Sequence, residues 1–85
     1  MKQVEIYTTP ICGFCVAAKR LLASKGVAFT EYDVMQNPAK RAEMTQRSNG
    51  GRTVPQIFIG GEHVGGCDDL HALERQQRLD AMLAV

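Results

Sequence analysis

The chain has 85 residues, enough for one small domain over residues 1–85 and no more. At 45% hydrophobic and 22% charged it has the composition of a folded globular domain, neither disordered nor disulfide-dense. Ten basic against nine acidic residues leave a net charge of +1 with no basic block, so bulk electrostatics gives no case for nucleic acid or a membrane surface as partner, and a soluble monomer is expected.

No run approaches the roughly 20 apolar residues of a spanning helix. The opening MKQVEIYTTP lacks the apolar centre of a secretion signal. The expected address is therefore cytoplasmic, where thiols are kept reduced and lasting structural disulfides are uncommon.

Val4 to Thr8 (VEIYT) alternates and is rich in strand formers, predicting a first strand. Pro10 and Gly13 interrupt the pattern. Phe14, Ala17, Ala18, Leu21 and Leu22 then recur at helical spacing, and Lys25-Gly26 gives a basic final turn with a glycine stop. Val27 to Val34 predicts a second strand. Following a helix, it should lie parallel to the first in a right-handed βαβ unit.

Asn37-Pro38 opens a second helix running through Arg47, with proline at the first helical position. SNGGR reads as a loop. Val54 to Ile59 predicts a third strand, Gly60-Gly61 a hairpin turn, and EHVG a short returning strand. CDDLHALERQ then predicts a third helix with Asp68 and Asp69 at its start, and Leu79 to Val85 a final apolar turn or two. The order β-α-β-α-β-β-α is an α/β architecture, a four-stranded mixed sheet flanked by helices, without repeats or linkers.

The stretch that carries chemistry is CGFC, with Cys12 and Cys15 between the first strand and the first helix. A structural zinc site needs four ligands, and Cys67, His63 and His71 form no second close pair of the usual spacing. A redox role fits better. Near the helix N-terminus, unpaired N–H groups and the macrodipole favour a thiolate at Cys12. Cys15, one turn later, can then attack a mixed disulfide formed there. Lys19 and Arg20 add positive charge nearby.

VEIYT, CGFC, TVPQIFI and GGCDDL, in this order and spacing, resemble the glutaredoxin family over nearly the whole chain, its bacterial dithiol members above all. The resemblance implies a thioredoxin-like fold and glutathione-dependent reduction of protein disulfides and glutathione mixed disulfides. Cys12 would be the nucleophile and Cys15 the resolving thiol. The implied partners are glutathione, disulfide-containing or glutathionylated proteins and, indirectly, the glutathione reductase system.

It further implies a glutathione site. Thr53, Val54 and a cis Pro55 would pair with the tripeptide backbone, and Gly66, Cys67 and Asp68 would hold its γ-glutamyl end. Arg41 would meet its glycine carboxylate. Asp69 is left as a helix cap, Cys67 as a small residue that matters through its backbone, and His63 and His71 as surface residues.

Two departures stand out. Thr9 occupies the place where many family members carry a lysine beside the thiolate, which implies a weaker glutathione contact. CGFC combines the middle of the monothiol CGFS motif with the second thiol of the dithiol CPYC motif. That leaves open a dimeric carrier in which Cys12 and glutathione ligate a bridging [2Fe–2S] cluster. No other metal role is expected. An electron donor reduced by a thioredoxin reductase is a further alternative, although such proteins lack the GGCDDL site.

Overall fold

The computed structural model describes residues 2–84, folded as β1 (Val4–Thr8), α1 (Gly13–Ser24), β2 (Phe29–Asp33), α2 (Pro38–Arg47), β3 (Gln56–Ile59), β4 (Glu62–Gly65), α3 (Cys67–Arg75) and α4 (Leu79–Leu83). The sheet order is β2-β1-β3-β4. β1 runs parallel to β2 and antiparallel to β3, and β3 is antiparallel to β4. This is the expected four-stranded mixed sheet with the thioredoxin-like arrangement. Among the described residues no helix is long and apolar enough to cross a membrane.

Strand alternation divides the interior into two layers. Val4 and Ile6 on β1 and Ile57 and Ile59 on β3 meet Ala18 and Leu22 of α1, Leu70 of α3, and Leu79 and Leu83 of α4. The alternate positions Tyr7 and Phe58 pack with Val34 and with Met44 of α2 on the opposite face. Both faces of the two central strands are thus covered, and the sheet ends are left to carry the site.

Local chemistry sets the element ends. Gly26 adopts φ +69°, and the Gly26 and Val27 amides donate to the carbonyls of Ala23 and Leu22, closing α1 in a Schellman turn. Val27 is therefore spent on the helix end, and β2 begins at Phe29 rather than at Val27 as expected. Lys25 stands at the C-cap rather than in the last turn, ion-paired with Glu74 and Asp80 at 2.7 and 3.0 Å.

Asn37 caps α2 by accepting from the Lys40 amide, with Pro38 at the first position. Gly60 and Gly61, both at positive φ, make the hairpin turn. The third strand starts at Gln56 rather than Val54, because Pro55 has no N–H to donate to the ladder; the Val54-Pro55 peptide is cis. The apolar end of the chain folds as α4; its last residue, Val85, lies outside the described residues.

Candidate active site at the Cys12–Cys15 pair

α1 begins immediately after the loop that leaves β1, which places Cys12 at its N-cap in extended conformation. The Cys12 sulfur accepts a hydrogen bond from the Cys15 amide at 3.1 Å, and the Cys12 carbonyl accepts from Val16. No acidic residue stands in the first turn to cancel the helix field at that sulfur. In the reduced state this combination favours the thiolate.

Cys12 and Cys15 are disulfide-paired, with Cα atoms 5.2 Å apart. Cys12 is partly exposed, whereas Cys15 is 1% exposed, so an incoming group reaches Cys12. Around the pair Ile11 and Phe14 are exposed. A Cβ built on Gly13 meets nothing within 4 Å, so crowding does not demand glycine in the motif.

A cleft of about 450 Å3 brings together Thr53, Val54, Pro55, Gly66, Cys67 and Asp68, all six of the residues expected from the TVP and GGCDDL stretches. The Val54 carbonyl oxygen lies 3.8 Å from the Cys12 sulfur and connects this cleft to the cysteine pair. At the far end Gly66 is the N-cap of α3. The amides of Cys67 and Asp68 are first-turn donors, which an α-helix leaves without an internal acceptor. Asp69 turns back to cap its own helix, accepting from the Gly66 amide at 3.0 Å, and Asp68 stays exposed beside the cleft.

Phe14 and Asp69 line the cleft as well, and three further lining residues escaped the sequence reading as part of this site: Gln56, His63 and Gly65. Gln56 is buried; its amide nitrogen donates to the Thr53 carbonyl at 3.0 Å, and its oxygen lies 2.7 Å from His63 Nε2. A polar residue at the head of the otherwise apolar QIFI strand was the signal available. Gly65 has φ +120°, and a Cβ there would overlap the Asp69 carboxylate.

Cys67 is 8% exposed, and its thiol is pushed up first by burial and then by the Asp68 charge. A protonated thiol is a poor nucleophile, in keeping with a contribution from backbone rather than sulfur. His71 Nδ1 lies 2.9 Å from the Cys67 carbonyl oxygen and 3.4 Å from its sulfur, which turns that ring toward the helix start.

Thr9 lies apart from the TVP–GGCDDL cleft, in a second hollow of about 360 Å3 that also contains Cys12, Cys15, Lys19 and Glu31. The Thr8 hydroxyl donates to Glu31 at 2.7 Å, and Lys19 pairs with the same carboxylate oxygen at 2.9 Å. Thr8 first, and Lys19 second, hold the Glu31 carboxyl below its ordinary value. Lys19 is thus ion-paired at the edge of the site, while Arg20 is exposed. Arg41 lines neither hollow; it is exposed on α2 and donates to the Arg52 carbonyl at 3.5 Å.

Comparison with known proteins agrees with this geometry. A family model described as Glutaredoxin matches residues 4–64. Glutaredoxin 3 of Escherichia coli is 55% identical over 83 residues, covering 98% of this chain and 99% of that protein. The solution structure of glutaredoxin from Brucella melitensis superposes with a TM-score of 0.84 at 55% identity, over 98% of this chain and 89% of that one. A buckwheat glutaredoxin–glutathione complex superposes with a TM-score of 0.87 at 33% identity, over 96% and 76% of the two chains.

Proposed function

This chain belongs to the glutaredoxin family, whose Cys12–Cys15 pair supports thiol–disulfide oxidoreduction, and from that premise we propose a glutathione-dependent enzyme acting on protein disulfides and glutathione mixed disulfides. The observation that carries this reading is the junction at Val54: one cleft runs from 3.8 Å off the Cys12 sulfur, past a cis proline, to the N-terminus of α3. A peptide thiol laid along it would meet backbone groups at Thr53–Pro55 and the amides of Cys67 and Asp68 at its anionic end. Asp68 would meet its ammonium group. The buckwheat complex supports glutathione as that ligand.

The Cys12 thiolate attacks the substrate sulfur, forms a mixed disulfide and expels the reduced partner thiolate. A second thiol then resolves it. Glutathione does so for glutathionylated substrates, and Cys15 does so for protein disulfides, regenerating the Cys12–Cys15 bond. Arg41 would take part only by reorienting toward the cleft. The reaction belongs in a reducing cytoplasm, where glutathione and glutathione reductase restore the cysteines.

The deciding experiment is the initial rate of glutathione-dependent reduction of a glutathionylated peptide. Turnover that survives Cys15→Ser and vanishes in Cys12→Ser is expected. Negligible wild-type turnover would overturn the reading in favour of a cluster carrier or a reductase-linked donor. One chain does not assemble a cluster site alone: among the described residues no three Cys, His, Asp or Glu side chains converge, and only Cys12 of the three cysteines reaches the surface. A [2Fe–2S] cluster would therefore draw on Cys12 from two copies and two external thiolates, and anaerobic reconstitution followed by sizing tests that arrangement.

A further inference from the structure

Cys15 is 1% exposed, and a thiolate formed at a buried position is disfavoured by desolvation. Lys19 follows it by one turn on α1, and residues four apart share a helix face with Cβ atoms about 5–6 Å apart. Cys15 and Lys19 line the same hollow, where Glu31 holds the Lys19 ammonium at 2.9 Å and is itself anchored by the buried Thr8 at 2.7 Å.

We propose that Lys19 is a positioning residue for the closing step, its ammonium favouring the anionic Cys15 sulfur, and that Glu31 limits this effect by drawing the same charge toward β2. In that step the Cys15 thiol gives its proton to solvent base, and the thiolate attacks the Cys12 sulfur of the mixed disulfide. The bond to the partner breaks and the partner leaves as a thiolate with that bond's electron pair. Over the two exchange steps together the cysteine pair loses two electrons and the substrate disulfide gains them, released as two thiolates. The proposal rests on the oxidoreductase reading but needs no glutathione.

The charged groups near this pair are few. Besides Lys19 from α1, Asp33 on β2 lines the hollow, its carboxylate accepting from the Met35 and Gln36 amides at 2.9 and 3.3 Å. Lys40 of α2 adjoins Glu31 on the other side and is paired with Glu43 at 3.1 Å. Lys19 and Glu31 therefore carry opposite and separable effects on Cys15. A general-base role for Glu31 makes a different prediction, since loss of either residue would then slow closing.

The test uses the full chain in a Cys67→Ser background, reduced and mixed with an excess of a chromogenic aromatic disulfide. The first thiolate released reports attack at Cys12; the second, independent of reagent concentration, reports closing by Cys15. With Lys19→Met the pH midpoint of the second phase should rise, and with Glu31→Gln it should fall. Neutral-pH rates should be about two- to fourfold lower and higher respectively, because a more acidic thiol is also a weaker nucleophile. Lys19→Arg should restore the midpoint.

Midpoints that move in the same direction, or that do not move, overturn the proposal. Loss of packing cannot produce opposite shifts, and Glu31→Gln alone carries the sign if Lys19→Met does not fold. Absence of the second phase in the unsubstituted protein overturns this inference and the dithiol reading together. A normal second phase with no glutathione turnover overturns only the glutathione reading.

Discussion

The Cys15 amide donates to the Cys12 sulfur across 3.1 Å, so one atom is both the N-cap acceptor of α1 and the candidate nucleophile. The hydrogen bond that starts the helix also stabilises negative charge on the reacting sulfur. Folding and reactivity are coupled at this position.

Serine is itself a favoured N-cap. Cys12→Ser should therefore abolish turnover while changing stability, compared with the reduced protein, by less than about 1 kcal/mol. Cys12→Ala should lose turnover and about 1 kcal/mol of stability as well, since the Cys15 amide then lacks its acceptor. Urea unfolding of the three reduced proteins measures both; equal stabilities for the serine and alanine variants would remove the capping role.

Gly65 closes β4 at φ +120°, with Asp69 where a side chain would stand. Gly65→Ala should destabilise by about 2–4 kcal/mol, combining backbone strain with disturbance of the α3 cap. Because the same turn presents the Cys67 and Asp68 amides, KM for a glutathionylated substrate should rise more than kcat falls. A variant as stable as its parent, with unaltered KM, would remove Gly65 from the cleft's architecture.

Arg47 ties α2 to β1, meeting both Glu5 carboxylate oxygens at 3.0 and 3.2 Å and the Tyr7 hydroxyl at 2.7 Å. Its hydrogen bond, foremost, holds the Glu5 carboxyl below the ordinary 4.5. Thr8 does the same for Glu31, and Tyr7 for Glu43. A carboxyl depressed in the folded state contributes stability above 4.5 and loses it as pH falls through the folded value. The urea midpoint should thus be steady near neutrality and fall on the acid side of that value, less steeply in Arg47→Gln. An Arg47→Gln profile parallel to wild type would contradict this assignment.

At the alkaline end Tyr7 acts with the opposite sign. Burial first, then its bond to Glu43, pushes its hydroxyl from 10.0 up to about 12. A group raised in the folded state contributes stability that is whole below 10.0 and lost as pH climbs through about 12. Phenolate absorbance during an alkaline titration should show both tyrosines late, since the Glu5 hydrogen bond first, and burial second, also raise Tyr32. Tyr7 should be the later of the two, and Tyr7→Phe should remove that last step. Early titration of both tyrosines would contradict the Tyr7 assignment.

Thr9 borders the hollow that holds Cys12 and offers a hydroxyl where a lysine would offer charge. Thr9→Lys is expected to move the pH midpoint of Cys12 alkylation down and to raise glutathione-dependent kcat/KM by about three- to tenfold, from a new cation near the sulfur. An unchanged midpoint would mean that the helix terminus already saturates the effect.

Much of the fold was legible because its determinants are local. Asn37-Pro38, Gly60-Gly61 and Lys25-Gly26 act within three or four residues, and each ends or begins an element where the structure has one. The displaced boundaries have non-local or conformational causes. β2 yields Val27 to the end of α1, and β3 begins only after the Val54-Pro55 peptide, whose cis isomer was expected through the family resemblance and not from any local pattern. Gln56 and His63 remained invisible because their contact depends on hairpin register, with a register shift between Ile57 and Phe58.

What the sequence determined alone is the reactive unit: two cysteines three positions apart at the start of a helix, because capping and mixed-disulfide resolution both act over one turn. Tertiary structure decided what surrounds it. The Val54 carbonyl reaches Cys12 across 42 positions, and Glu31 reaches Lys19 across 12, contacts that no local pattern specifies. They exist because β1 lies at the centre of the sheet, with β2 on one side and β3 on the other, so that the cis-proline turn, the α3 terminus and the Lys19–Glu31 pair gather around its C-terminal end.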